Sequence, residues 1–176
     1  MTKENITITN INEKNDYSNI VPIWKFVLLS LLSFNFYPYY WFYKKWIFVK
    51  QNTNISINPL LRTVAILVPI LNFVLIYSLF NKINSFADED NKISVPPLLI
   101  AVIFFGCLGL LNRPYQLFTI FSFLPLIFLQ KIINEYFKYN KHTVMENNNF
   151  NWIEYLCLVA GLFNWYMLFK MYFNLV

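Results

Sequence analysis

Apolar and polar positions along this 176-residue chain separate into long blocks. Apolar stretches at about 21–43, 59–80, 95–111, 115–133 and 152–174 alternate with polar connections. Pro59–Phe80 holds 22 residues. As a helix rising about 1.5 Å per residue it would cover about 33 Å, enough for a hydrocarbon core of about 30 Å. Asn58 and Pro59 supply cap and first-turn chemistry, and NKINSFADEDNKIS then returns to loop character. Ser94, Pro96 and Pro97 open the third segment. The interruption LNRPYQ is so short that segments three and four are expected to form a tight antiparallel hairpin. Pro125 is predicted to kink the fourth, with Gln130 and Lys131 marking its exit. Beyond the polar linker FKYNKHTVMENNN the fifth begins at Trp152, and Lys170 can snorkel to an interface at its far end.

The first segment is different. FNFYPYYWFYKKWIFVK, residues 34–50, packs ten aromatic residues and three lysines together, a mixture suited to headgroup depth at a bilayer edge. Asn35 tolerates left-handed backbone, and Pro38 disfavours helical geometry at Tyr37. A break there leaves Val21–Phe34 with only about 21 Å of helix, too short to cross. The segment would then enter and return, with Tyr39–Lys50 along the interface. The alternative is a fifth crossing. With five spans the cations divide eight against six; with four spans and a returning first segment they divide nine against five. The positive-inside rule therefore favours the second arrangement, with both termini cytoplasmic and the Asp88–Asp90 loop outside.

Composition agrees with a membrane bundle. Hydrophobic residues make up 57% and charged residues 13%, against about 45–50% and 25% in soluble domains, so a soluble fold would lack charge to cover its surface. The net charge of +5 is spread along the chain, which argues against a nucleic-acid face and for flanks of apolar segments. Residues 1–20 are polar, have no apolar run of signal-peptide type and are expected to form a mobile tail before a single membrane domain over 21–176. The fold class expected is all-α, a polytopic helical bundle of four spans plus a re-entrant or interfacial aromatic first segment. ISINPLL at 55–61 and ISVPPLL at 93–99 share five identities, which common helix-start chemistry explains better than duplication.

Candidate chemistry is sparse. Tyr37, Tyr40, Trp41, Tyr43, Lys44, Lys45, Trp46 and Lys50 form the candidate lipid or partner site, since each basic residue near an anionic surface contributes about 1 kcal/mol. An ordinary aromatic belt with snorkelling lysines is the blander account. Asn72 and Asn164 fall inside spans, where amides seek partners, and are expected to bond to each other. Glu154 is the only acid inside an apolar stretch; it stands three residues after Asn151, the spacing of a capping box, or it pairs with Arg62 or Arg113. Those two arginines sit at span ends as interfacial anchors. Cys107 and Cys157 fall in apolar stretches, so a disulfide is not expected. His142 stands alone in a linker, no metal or other cofactor is called for, and no nucleophile stands beside Glu135, His142 or Glu154.

KFVLLSLLSFNFYPYYWFYKKW at 25–46, Arg62, YSLFNKI at 77–83, PYQLFTIFSFLPLIFLQKIIN at 114–134, and Gly161 and Trp165 in the last span together resemble an uncharacterised family of small bacterial multi-pass inner-membrane proteins. That family's signature reads approximately T-x-G-x-Y-x-x-Y-W-F-Y-K-N-W. Asn35 replaces its glycine and Pro38 is foreign to it. The resemblance implies a bacterial inner-membrane location and carries no activity.

Three functions follow in order of support. The first is a non-catalytic protein binding membrane lipids, anionic ones in particular, or scaffolding an unknown membrane protein. The second is a subunit of a small channel or transporter, which as so short a chain would need to homo-oligomerise. The third is a lipid-acting enzyme. For the returning first segment the expected outcome is that a reporter fused at Asn52 reads the same side of the membrane as one at the N-terminus; opposite sides would mean that the segment crosses.

Overall fold

The computed structural model describes residues 20–111, 115–140 and 148–173. The polar tail up to residue 19, Arg113 and His142 lie outside them. Every regular element among the described residues is helical: α1 (Ile23–Leu32), α2 (Phe36–Asn52), α3 (Pro59–Ala65), α4 (Pro69–Asn84), α5 (Val95–Leu108), α6 (Leu124–Asn140) and α7 (Trp152–Phe173). A short 3-10 turn at Glu89–Asn91 precedes α5, and a 3-10 helix, Tyr115–Phe123, leads into α6. Three stretches, Glu89–Leu108, Leu117–Tyr139 and Trp152–Met171, are long and apolar enough to cross a membrane. The first and third turn most of their surface outward, with Ile100, Phe104, Val159, Leu162 and Phe163 exposed. Lysine, glutamate and glutamine side chains are buried instead. An apolar exterior around a largely apolar core that also encloses charged and amide side chains is consistent with an integral membrane protein.

Helices α1 and α2 are joined by a turn at Ser33–Asn35. Phe34 and Asn35 both adopt left-handed backbone, φ 50° and 66°. Asn35 bears this cheaply, whereas a bulky Phe there is strained by about 1–3 kcal/mol and needs its surroundings to hold it. Ser33 Oγ accepts the Tyr37 N–H at 2.9 Å, satisfying one of the open donors at the start of α2. Pro38 sits in the first turn of α2, where its missing N–H costs no helical bond. The hairpin's base and tip are fixed by α6 and the 3-10 helix before it. Asn134 donates to the Val21 carbonyl at 2.8 Å, and Tyr136 donates its hydroxyl to Asn52 Oδ1 at 3.1 Å. The start of α1 and the end of α2 thus meet one end of α6. Asn35, at the turn, donates to the Thr119 carbonyl at 2.8 Å, toward the other end.

The segment 59–80, expected as one span, is two helices. The N–H groups of Ile66, Leu67 and Val68 bond back three residues, and Val68 is extended, φ −87° and ψ 117°. A residue that precedes a proline is disfavoured from helical geometry, which is the physical reason for the break. Ile66 and Leu67 reach the level of the α1–α2 turn, where they line a cavity together with Asn35 and Pro38. Helix α4 then returns: Asn84 clasps the Ile93 backbone through bonds of 2.9 and 3.0 Å, and Phe86 lies edge-on to Phe48 and Tyr136 at 5.0 and 5.1 Å. This pair also doubles back. In the fourth segment Pro125 lies at the change from 3-10 to α-helix, near the start of α6 where an N–H is not needed.

The hairpin α1–α2 occupies the centre, packed against α6, α7 and the 3-10 helix on one side and α3 and α4 on the other. Phe26 stands edge-on to Tyr37, Trp41 and Phe123 with ring centroids 5.8, 5.9 and 6.3 Å apart, a favoured aromatic geometry. Helix α7 crosses the turn at Gly161, where a Cβ would strike the Leu32 carbonyl and the Ser33 backbone. One turn on, Trp165 donates from Nε1 to the Leu31 carbonyl at 3.3 Å and its ring lies edge-on to Phe34 at 5.5 Å. Gly161→Ala is therefore expected to destabilise by about 1–3 kcal/mol or more, because the obstructing atoms are backbone. Gly106→Ala, where a Cβ meets nothing within 4 Å, is expected to be neutral or to stabilise by about 0.5–1 kcal/mol. Thermal unfolding of both variants in detergent checks the contrast.

Candidate functional site

The aromatic-lysine segment folds as α2, and its candidate residues divide by helix face. Tyr37, Trp41, Lys45 and Trp46 are buried, Tyr40, Tyr43 and Lys44 half-buried, and Lys50 exposed. The inward set makes this more than a belt on the outer surface. Trp41 donates from Nε1 to Gln130 Oε1 at 2.7 Å, Gln130 donates to Asn134 Oδ1 at 2.7 Å, and Asn134 ends the chain on Val21. Each link gives a buried polar group its partner, which prevents a desolvation cost of about 1–3 kcal/mol per orphaned group.

A second polar cluster joins α1 to the start of α7. Lys25, fully buried, places Nζ 3.0 Å from Glu154 Oε2, whose residue is 3% exposed. The ammonium also donates to the Asn149 carbonyl at 2.6 Å and lies 5.1 Å from the centre of the Phe150 ring. Glu154 accepts the Asn151 N–H at 2.9 Å, and its own N–H is received by Asn151 Oδ1 at 2.9 Å. That is the reciprocal capping box expected from the spacing. Its ion-pair partner is Lys25, however, and not Arg62. Lys25 stands near the start of the first apolar stretch, where it reads as a flank by sequence, and only the fold carries it inward. Asn151 further donates to the Tyr40 hydroxyl at 3.2 Å, tying the box to α2.

Three cations on α2 and α3 sit on aromatic faces. Lys44 lies 5.6 Å from the Tyr40 ring centre, Lys45 5.5 Å from Trp41, and the Arg62 guanidinium 4.4 Å from Trp46, within cation–π range. Neither Lys45 nor Arg62 has an ion pair among the described residues. Burial, and after it the charge of Lys44, push the Lys45 ammonium down from the ordinary 10.5 to about 7. Lys45 lies outside the three helices able to cross. Trp46 Nε1 is buried without an acceptor.

Asn72 and Asn164 do not bond to each other. Asn164 donates to the Ala160 carbonyl of its own helix at 3.0 Å, and Asn72 lines the cavity beside the hairpin tip. Among the described residues no group of His, Cys, Asp and Glu is arranged to hold a metal ion. Asn134, Ser33 and Thr119 escaped the sequence reading, and Gln130, read there as the exit of the fourth segment, is instead buried within α6, which continues to Asn140. Gln130 and Asn134 are spaced one helical turn apart, the one signal that pointed to a shared face. No protein-family model, curated protein or solved structure matches the chain.

Replacing Lys25 by Met alone leaves Glu154 charged and buried without its counter-ion, with an expected loss of about 3–5 kcal/mol. The double variant Lys25→Met, Glu154→Leu is expected to recover most of that loss. A double-mutant cycle on unfolding in detergent checks both, and simple additivity would mean that the pair is not coupled.

Proposed function

We propose that this is a non-catalytic integral membrane protein that binds anionic lipid headgroups through the cations of its aromatic-lysine segment together with Arg62. The observation that carries this reading is that Lys45 and Arg62 rest on Trp41 and Trp46 with no acid beside them among the described residues. A buried or half-buried cation without a counter-ion is costly, and a lipid phosphate supplies the missing charge from outside the protein. Arginine suits it geometrically, since its planar fork matches phosphate oxygens.

The orientation belongs to the same proposal. Both α1–α2 and α3–α4 double back toward the same end of α6, which supports reading them as re-entrant pairs beside three crossing helices. The polar tail and every connection except those holding Arg113 and Lys170 then fall on one side, with twelve of the fourteen cations. The positive-inside rule makes that side cytoplasmic, with the N-terminus on it, the C-terminus opposite, and the Asp88–Asp90 loop inside. This bias is steeper than the nine-to-five division obtained when segment 59–80 crosses. The resemblance of residues 25–46 supports a bacterial inner membrane.

A channel or transporter subunit is the second reading. It is favoured by two broken segments meeting around a cavity that Asn72 lines, as discontinuous helices do in transporters; it predicts solute flux in liposomes. Against a lipid-acting enzyme stands Glu154, committed to Lys25 and to its helix cap.

The test is native mass spectrometry from nanodiscs containing phosphatidylglycerol and phosphatidylcholine. The wild type is expected to retain phosphatidylglycerol, and Lys44→Ala, Lys50→Ala, Arg62→Ala combined to lower its occupancy on the order of a hundredfold, from about 1 kcal/mol per cation. Equal retention of both lipids, or no effect of the triple variant, would sink the proposal.

A further inference from the structure

A cavity of about 380 Å³ lies at the level of the two helix breaks, within the roughly 300–1,000 Å³ typical of small-molecule sites. Lys44, Lys45 and Arg62 are not among its lining residues, and among the described residues no charged side chain lines it. Its walls come from the α1–α2 turn and the start of α2, the α3–α4 break, α4, α5, the 3-10 helix and the start of α6. Several polar groups of these walls lack partners. Asn35 Oδ1 and Thr119 Oγ1 are buried with none, and the side chains of Asn72 and Ser122 make no hydrogen bond among the described residues. At Gly106, also on the wall, an added Cβ would meet open space.

Hydrocarbon offers such groups nothing to bond to, and leaving them unpaired is costly. Around them the wall is apolar, and the lining residues Tyr39, Leu67, Phe73 and Leu110 are exposed on the outer surface of the helices. The way in is therefore through lipid. A carboxylate or phosphate would enter without a counter-ion, and an alkane would leave the amides and hydroxyls unpaired. A hydroxyl both donates and accepts, which matches a wall carrying the amides of Asn35 and Asn72 and the hydroxyls of Thr119 and Ser122.

We propose that this cavity binds a neutral, hydroxyl-bearing amphiphile of the long-chain alcohol class, its hydroxyl toward the wall that carries Asn72 and Ser122 and its chain leaving between Tyr39, Leu67 and Phe73. The site uses none of the cations of the anionic-lipid proposal, so either can fail alone. The test uses the full chain in phosphatidylcholine nanodiscs with 1-hexadecanol bearing a mid-chain diazirine, photolysed and mapped by peptide mass spectrometry. Label is expected on α4 and α5 around Phe73 and Val102, displaced by excess 1-hexadecanol and not by hexadecane. The matching palmitic acid probe is expected to label about fivefold less. Gly106→Phe, whose ring enters the open space, is expected to cut labelling about tenfold, and Asn72→Leu to cut it about threefold. Should Gly106→Phe fail to fold, Asn72→Leu and the competition experiment still decide. Label spread evenly over the exposed helices, equal labelling by the acid, displacement by hexadecane, or indifference to Asn72→Leu would each overturn the proposal, as would indifference to a folded Gly106→Phe.

Discussion

The buried pair Lys25–Glu154 is the constraint around which the rest of this molecule is arranged. Neither charge reaches solvent, and removing one such partner costs several kcal/mol, so the two must meet wherever the chain allows. Among the described residues Lys25 belongs to the first helix and Glu154 to the last. Their contact ties α1 to α7 and seats α7 alongside the central hairpin. The capping box does double service: it satisfies the open N–H groups at the start of α7 and holds the carboxylate toward Lys25. From there α7 passes the hairpin tip, where Gly161 permits backbone to touch backbone and Trp165 takes up a carbonyl of the turn. The strained left-handed Phe34 persists with its ring packed edge-on against Trp165 of α7.

The interior distribution follows from the same physics. Polar side chains gather inside, as the chain Trp41–Gln130–Asn134–Val21 and the Lys25 cluster, while the outer faces of α5 and α7 present large apolar side chains. In water this arrangement would be unfavourable on both counts. In a bilayer the linked polar groups of these two clusters find their partners within the protein, Asn35 Oδ1, Trp46 Nε1 and Thr119 Oγ1 being left without one, and the apolar exterior needs none. Irregular backbone at the Ser33–Asn35 and Ile66–Val68 breaks is tolerable because it faces protein or a cavity.

Two surfaces remain that the fold does not use for itself. One is the cationic edge of α2 and α3, with charges resting on indole and phenol rings; the other is the uncharged cavity at the far end of the hairpins. They differ in chemistry: the first carries Lys45 and Arg62 with no ion pair among the described residues, and the second carries hydrogen-bonding groups without partners. That difference makes lipid phosphate and neutral hydroxyl compounds separate expectations, and it places both readings on binding without chemical conversion.

Much was legible in the residues alone. Long continuous blocks of apolar residues with little charge pointed to helices suited to a membrane, because a helix satisfies its own backbone within one segment whereas a barrel strand would need a much shorter, alternating pattern. Asn35 marked the turn, since an asparagine tolerates left-handed backbone, and Asn151 with Glu154 marked a helix start by local spacing. What tertiary structure decided was everything that depends on distant partners. Segment 59–80 is long enough to cross by count, yet it breaks at Val68, and its two halves lie back against α2. The aromatics suited to an interface turn inward because Phe26, Phe123 and Gln130 are there to receive them. Lys25 meets Glu154 across 129 positions of chain. Local sequence determines where a helix starts and whether it suits lipid, but the partner of a buried charge is set by packing between remote helices, which no stretch of sequence contains.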